Sequence, residues 1–146
     1  MTLLSLPTPP TATAAVTFEQ MLEKVRYEGA YPTRRQARDV TLRVLEALGR
    51  QLPADERAEL GARLPREAAG PLTSQSTAET PLTGWGFVKD LADRTGATPA
   101  TTRWDTGAVL GVVARLAGDD LIARIVHRLP EGYALLFGRA QLLRAV

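Results

Sequence analysis

His127 is the single histidine of the chain, and there is no cysteine. A histidine acting as a general base or a metal ligand needs a second group to orient it or to complete a coordination set. Zinc sites built on His and Cys, paired-histidine chemistry, cysteine nucleophiles and a disulfide framework are therefore excluded. Carboxylates come next. Asp119–Asp120 could supply half of a pair for metal binding or acid–base work, but Asp55–Glu56 holds the corresponding place earlier in the chain. Acids in such places favour helix starts, where capping and the dipole stabilise them without any chemistry. Lys24 and Lys89 are each flanked by acids, so they read as solvated ammonium groups rather than as nucleophiles with a depressed pKa. The closely spaced glycine patterns that cradle phosphates or hold a nucleophilic serine are absent. The expectation is a protein without catalytic residues, cofactor or metal, hence not an enzyme.

Arginine is the residue type left to consider. Lys and Arg total 18 against 16 Asp and Glu, for a formal net charge of +2. The pI near 9.4 is high because all the bases but Lys24 and Lys89 are arginines, which do not titrate at ordinary pH. Between Arg34 and Arg66 the arginines 34, 35, 38, 43, 50, 57, 63 and 66 face the acids 39, 46, 55, 56 and 59. Arg34, Arg35, Arg38 and Arg43 lie on one predicted helix and could meet phosphates. However, arginine at a helix start opposes the dipole, and the interleaved acids dilute the field. The aromatic content of 5% also argues against a stacking platform for single strands.

These residues must be placed by helices. Thr17 with Gln20, and Thr33 with Gln36, have the spacing of capping boxes. After them Phe18, Met21, Leu22 and Val25, then Ala37, Val40, Val44, Leu45, Leu48 and Leu52, repeat at intervals of three and four. The first helix fades near Gly29. Pro53 closes the second and opens a third, Leu64–Pro65 stops that one, and Gly70–Pro71 ends the first half. Residues 73–83 form a polar linker without periodicity. Gly84-Trp85-Gly86 is a flexible entry to the next helix, with an aromatic expected to anchor the linker. Thr98–Pro99 opens a long helix through Trp104, Val109, Leu110 and Val113. Asp119 is the expected N-cap of a helix to Arg128. Tyr133, Leu136, Phe137, Ala140 and Leu143 space out a last helix. No stretch alternates as a strand would.

The two halves match under a shift of 65 residues. Arg38, Thr41, Val44, Leu45, Arg50, Asp55, Ala58, Arg63, Leu64, Pro65 and Ala69 meet Arg103, Thr106, Val109, Leu110, Arg115, Asp120, Ala123, Arg128, Leu129, Pro130 and Ala134. Phe18 and Leu22 match Phe87 and Leu91 at a shift of 69, so the first half has four extra residues around Tyr27 to Thr33. Asp105 departs from the repeat, standing where the first half has Val40. Arg50 with Arg115, and Arg63 with Arg128, recur in register. Such arginines either tie helix ends or bridge to Asp55 and Asp120, or they gather at a pseudo-twofold axis as a shared anion site. One unit of about 50 residues buries little surface alone, so two units pressing their apolar faces together are expected to share one core.

Phe18, Leu22, Val44, Leu45, Arg50, Leu64 and Pro65, with Phe87, Leu91, Val109, Leu110, Arg115, Leu129 and Pro130, carry a resemblance. Over roughly residues 17 to 140 the chain resembles the bacterial domain-of-unknown-function family numbered 2267. The resemblance implies a small, all-helical protein, often built from a tandem repeat, and implies no activity.

The length of 146 residues suits one compact domain. Residues 1–16 read as a disordered tail rich in Pro, Thr and Ala, followed by a first helical repeat at 17–72, the linker at 73–83 and a second repeat at 84–146. Met1 to Ala15 lacks the basic residues of a secretory signal, and no segment is apolar enough to span a membrane, so a cytoplasmic protein is expected. The sequence reads as an all-α bundle of two pseudo-repeated units. The expected role is a non-catalytic interaction or regulatory domain that binds a protein partner or a second copy of itself. Arg34, Arg35, Arg38, Arg43, Arg50 and Arg115 are the candidate contacts. A nucleic-acid or polyanion binder using the arginine-rich helix is the alternative.

Overall fold

A computed structural model describes residues 16–139. The expected tail up to Ala15, and the Ala140 and Leu143 positions of the last expected helix, lie outside them. Among the described residues there are eight helices and no strand: α1 Phe18–Gly29, α2 Arg34–Gln51, α3 Ala54–Ala62, α4 Arg66–Thr73, α5 Gly84–Thr95, α6 Pro99–Ala117, α7 Asp119–Arg128 and α8 Tyr133–Leu136. None of these is long and apolar enough to cross a membrane.

The caps explain most boundaries. Thr17 and Gln20 form the full reciprocal box, the Gln20 N–H donating to Thr17 Oγ1 at 3.0 Å and the Thr17 N–H to Gln20 Oε1 at 2.9 Å. Thr33 makes half of one, accepting from the Gln36 N–H at 3.1 Å. Thr83 and Thr98 cap α5 and α6 in the same way, with Pro99 at the first position of α6. α1 and α5 end alike. The Tyr31 N–H reaches back to Arg26 O and the Ala97 N–H to Ala92 O, each bond spanning a residue in the left-handed region. In α5 that residue is Gly96, but in α1 it is Ala30, at φ 55°.

The structure departs from the sequence reading in four places. Gly70–Pro71 does not end a helix, because α4 continues through Pro71 to Thr73. Leu72, fully buried, holds that last turn in the core and offsets the missing proline N–H. Asp119 is not a cap. α7 begins at Asp119 itself after Gly118, at φ 94°, so Asp119 and Asp120 lie inside the first turn. α8 stops at Leu136 because Gly138 turns left-handed and the Arg139 N–H closes back onto Ala134 O. Trp85 is 61% exposed and anchors nothing. The segment before α5 is held instead by Tyr133, whose hydroxyl donates to Leu82 O at 3.0 Å, and by Gln51 Oε1, which accepts from the Leu82 N–H at 3.0 Å.

One apolar cluster runs through both halves, from Met21, Leu45, Leu48 and Leu60 to Phe87, Leu110, Leu121, Ile125 and Tyr133. The long helices α2 and α6 pack on each other, and each also receives the first helix of its own half and that of the other. Close approach fixes the outer layers. A Cβ on Gly49 would lie 2.3 Å from Leu72 O, so α4 rests directly on the α2 backbone. Arg57, buried, donates through Nη1 to Gly49 O, Leu52 O and Thr77 Oγ1 at 2.8, 3.0 and 3.0 Å. It thereby caps α2 and straps down the segment that follows α4.

Candidate functional site

The candidate arginines do not form one site. Arg34 pairs with Glu23 at 3.3 Å, and the Arg26 and Arg34 guanidinium groups hold the Glu23 carboxyl below its usual range. Arg35 and Arg38 are exposed on the first turns of α2 beside Asp39. Arg43 lines a cavity of about 70 Å³ between the halves, with Leu91, Thr95, Thr102 and Asp105. That volume is well below the few hundred Å³ of a typical ligand pocket. Arg50 is half-buried near the end of α2. Arg115 pairs with Glu28 at 3.3 Å.

Of the recurring arginines, Arg63 and Arg128 have separate partners, and neither hydrogen-bonds Asp55 or Asp120. Arg63 Nη1 donates to Ala117 O at 2.7 Å, closing the end of α6. Arg128 donates to Glu56 Oε2 at 3.0 Å. Arg124 grips both oxygens of Glu59, at 3.0 and 2.6 Å; the two residues occupy the same place in the two halves under the shift of 65. Together these contacts form a polar seam joining α3 to α6 and α7. Glu56 is buried, and its Oε1 has no hydrogen-bond partner. The adjacent Asp55 carboxyl, then burial, push its carboxyl up, and Asp55 is lowered in turn. A carboxyl shifted upward can mark a general acid. Here it faces Arg128 at a helix start, and its neighbours are accounted for by the seam.

Two places where the sequence match between the halves breaks down lie together. Tyr31, from the four-residue insertion, donates its hydroxyl to Asp105 Oδ1 at 2.5 Å. Burial, then the carboxylate, raise the pKa of the phenol. One residue before Asp105 on α6, Trp104 Nε1 donates to Gly29 O at 2.9 Å. These bonds clamp the end of α1 onto α6 and fix the indole, which remains 57% exposed.

Beside that indole lies a shallow open groove of about 520 Å³, lined by Glu28, Ala100, Arg103, Trp104, Gly107 and Ala108. Its floor is small residues, one wall is the fixed indole, and its charged rim is Arg103 and Glu28. Sequence reasoning placed Trp104 among the apolar helix residues and passed over the groove. The available signal was Ala100, Gly107 and Ala108, small residues three or four positions from Trp104 on one helix face. His127 is exposed in the last turn of α7.

The model of the family described as "Uncharacterized conserved protein (DUF2267)" matches residues 18–136, from the first residue of α1 to the last of α8. The chain belongs to this family. The match spans both halves and every helix described above, including Trp104 and the residues around it. No curated protein matches the chain.

Proposed function

We propose that this DUF2267 protein acts by binding a partner chain, as a non-catalytic interaction or regulatory domain built from two related helical units. The observation that carries the reading is the groove on α6, in which a tryptophan locked by its own hydrogen bond stands exposed over a floor of glycine and alanine. Tryptophan is enriched among the residues that dominate binding energy, and a ring already fixed loses little freedom when a partner covers it. The repeat supports the architecture: helices of 12, 18, 9 and 8 residues are followed by helices of 12, 19, 10 and 4. The polyanion reading has less behind it, since Arg34 is paired with Glu23 and Arg43 borders the cavity between the halves.

A photo-crosslinking residue placed at position 104, and for comparison at exposed position 46, tests this in the native host. The expected result is a discrete protein adduct from position 104, absent from position 46. No adduct from 104, or the same adducts from both, would overturn the reading.

A further inference from the structure

We infer that the groove beside Trp104 is filled by the same groove of a second copy of this chain, making a weak twofold dimer through α6; this rests on the binding reading above and names its partner. Two half-buried glycines inside a helix are unfavourable for the isolated fold, and here the fold does not demand them. A Cβ on Gly111 would meet nothing within 4 Å, and one on Gly107 would meet only the mobile end of Arg103, at 2.8 Å. What the missing side chains leave is a place where another backbone or a large ring can approach α6 closely.

The groove is complementary to itself. Trp104 and Gly111 are two turns apart, about 10 Å along the axis, with Gly107 and Ala108 midway. When two copies of α6 cross antiparallel over Gly107 and Ala108, Trp104 of each copy lies over the open space at Gly111 of the other, one turn beyond the groove. The charges agree with the shape. Arg103 has no carboxylate partner among the described residues, while Glu28, which lines the same groove and pairs with Arg115, brings the opposite charge. The twofold brings Arg103 of each copy to Glu28 of the other. Every contact then occurs twice with the roles exchanged, as an isologous interface requires. Opposite rim charges fix the register and disfavour a parallel crossing.

Analytical ultracentrifugation of the full chain from about 1 µM to about 1 mM tests the inference, a range that covers weak protein–protein affinities. The expected result is a reversible monomer–dimer equilibrium. Gly111→Leu fills the open space that the partner's indole would occupy, and its Cβ meets nothing within 4 Å in the chain itself, so it should shift the dissociation constant at least about tenfold upward while the thermal midpoint stays at or above that of the native chain. Glu28→Arg and Arg103→Glu should each weaken the dimer about tenfold, and the double exchange should restore it to within about threefold. A chain that stays monomeric at 1 mM overturns the dimer, as does a dimer indifferent to Gly111→Leu or to the charge exchange. A monomer whose position 104 crosslinks a different protein in the host refutes the second copy and leaves the binding reading standing. A monomer with no adduct from 104 refutes both.

Discussion

Replacing Asp105 with valine, the residue at the same place in the first half, should destabilise the protein, and replacing Tyr31 with phenylalanine as well should recover most of the loss. The Tyr31 hydroxyl donates to Asp105 at 2.5 Å, and Tyr31 is only 9% exposed. Asp105→Val leaves that hydroxyl buried without an acceptor, a cost of about 1–3 kcal/mol. Tyr31→Phe alone removes a bond to a charged acceptor, worth about 1.5–3 kcal/mol in general. Asp105 is half-buried, so water recovers part of that bond and a loss of about 1–2 kcal/mol is expected. In the double variant both polar groups are gone together, a change that is close to neutral when the shapes are kept. The coupling between the two sites, the sum of the two single losses less that of the double variant, should then be at least about 2 kcal/mol. For a chain of this length each kcal/mol moves the thermal midpoint by about 2–4 °C. Urea unfolding of the four proteins, followed by helical circular dichroism, measures the cycle. If the two single losses add to within about 0.3 kcal/mol, the residues are independent and the claim that insertion and departure compensate each other fails.

Ala30→Gly should stabilise the fold by about 0.5–1 kcal/mol, because Ala30 holds a left-handed conformation that glycine adopts without strain; an unchanged or lower urea midpoint would contradict this. Arg57→Met should cost about 2–3 kcal/mol, since it strips three hydrogen bonds from the end of α2 and from Thr77, and amide exchange at residues 74–83 should accelerate with it. Burial raises the phenols of Tyr31 and Tyr133 above their ordinary value of 10.0. The folded protein therefore holds protons that the unfolded chain releases, so this stability is complete below about pH 10 and is lost as pH rises beyond it. Urea midpoints should fall between about pH 9 and 11, less steeply in Tyr31→Phe; a midpoint that stays level over that range would show that the phenols ionise freely in the fold.

Much of the fold is legible in the sequence because helix boundaries here are set locally. Thr17, Thr33, Thr83 and Thr98 each accept from the backbone N–H three residues on, and that spacing can be read directly. Errors arise where a distant contact overrides a local rule. Pro71 ends a helix by its own chemistry, but the burial of Leu72 carries α4 past it. Trp85 and Trp104 look like core residues because they are large and apolar, yet both stand exposed. The candidate arginines show the same limit, since the partners of Arg63, Arg115 and Arg128 lie on other helices.

The sequence by itself determines the helical content, most helix ends, the two series of like elements and the family, because caps, apolar spacing and self-similarity act over short stretches of chain. It also marks both places where the halves differ, the insertion around Tyr31 and the charge at Asp105. Only the tertiary structure decides that these two, 74 residues apart, meet in one hydrogen bond, and that the same clamp turns Trp104 outward over a floor of small residues. The reason is physical: hydrogen bonds and side-chain packing between helices depend on how those helices dock, and one chain's local pattern is compatible with several dockings.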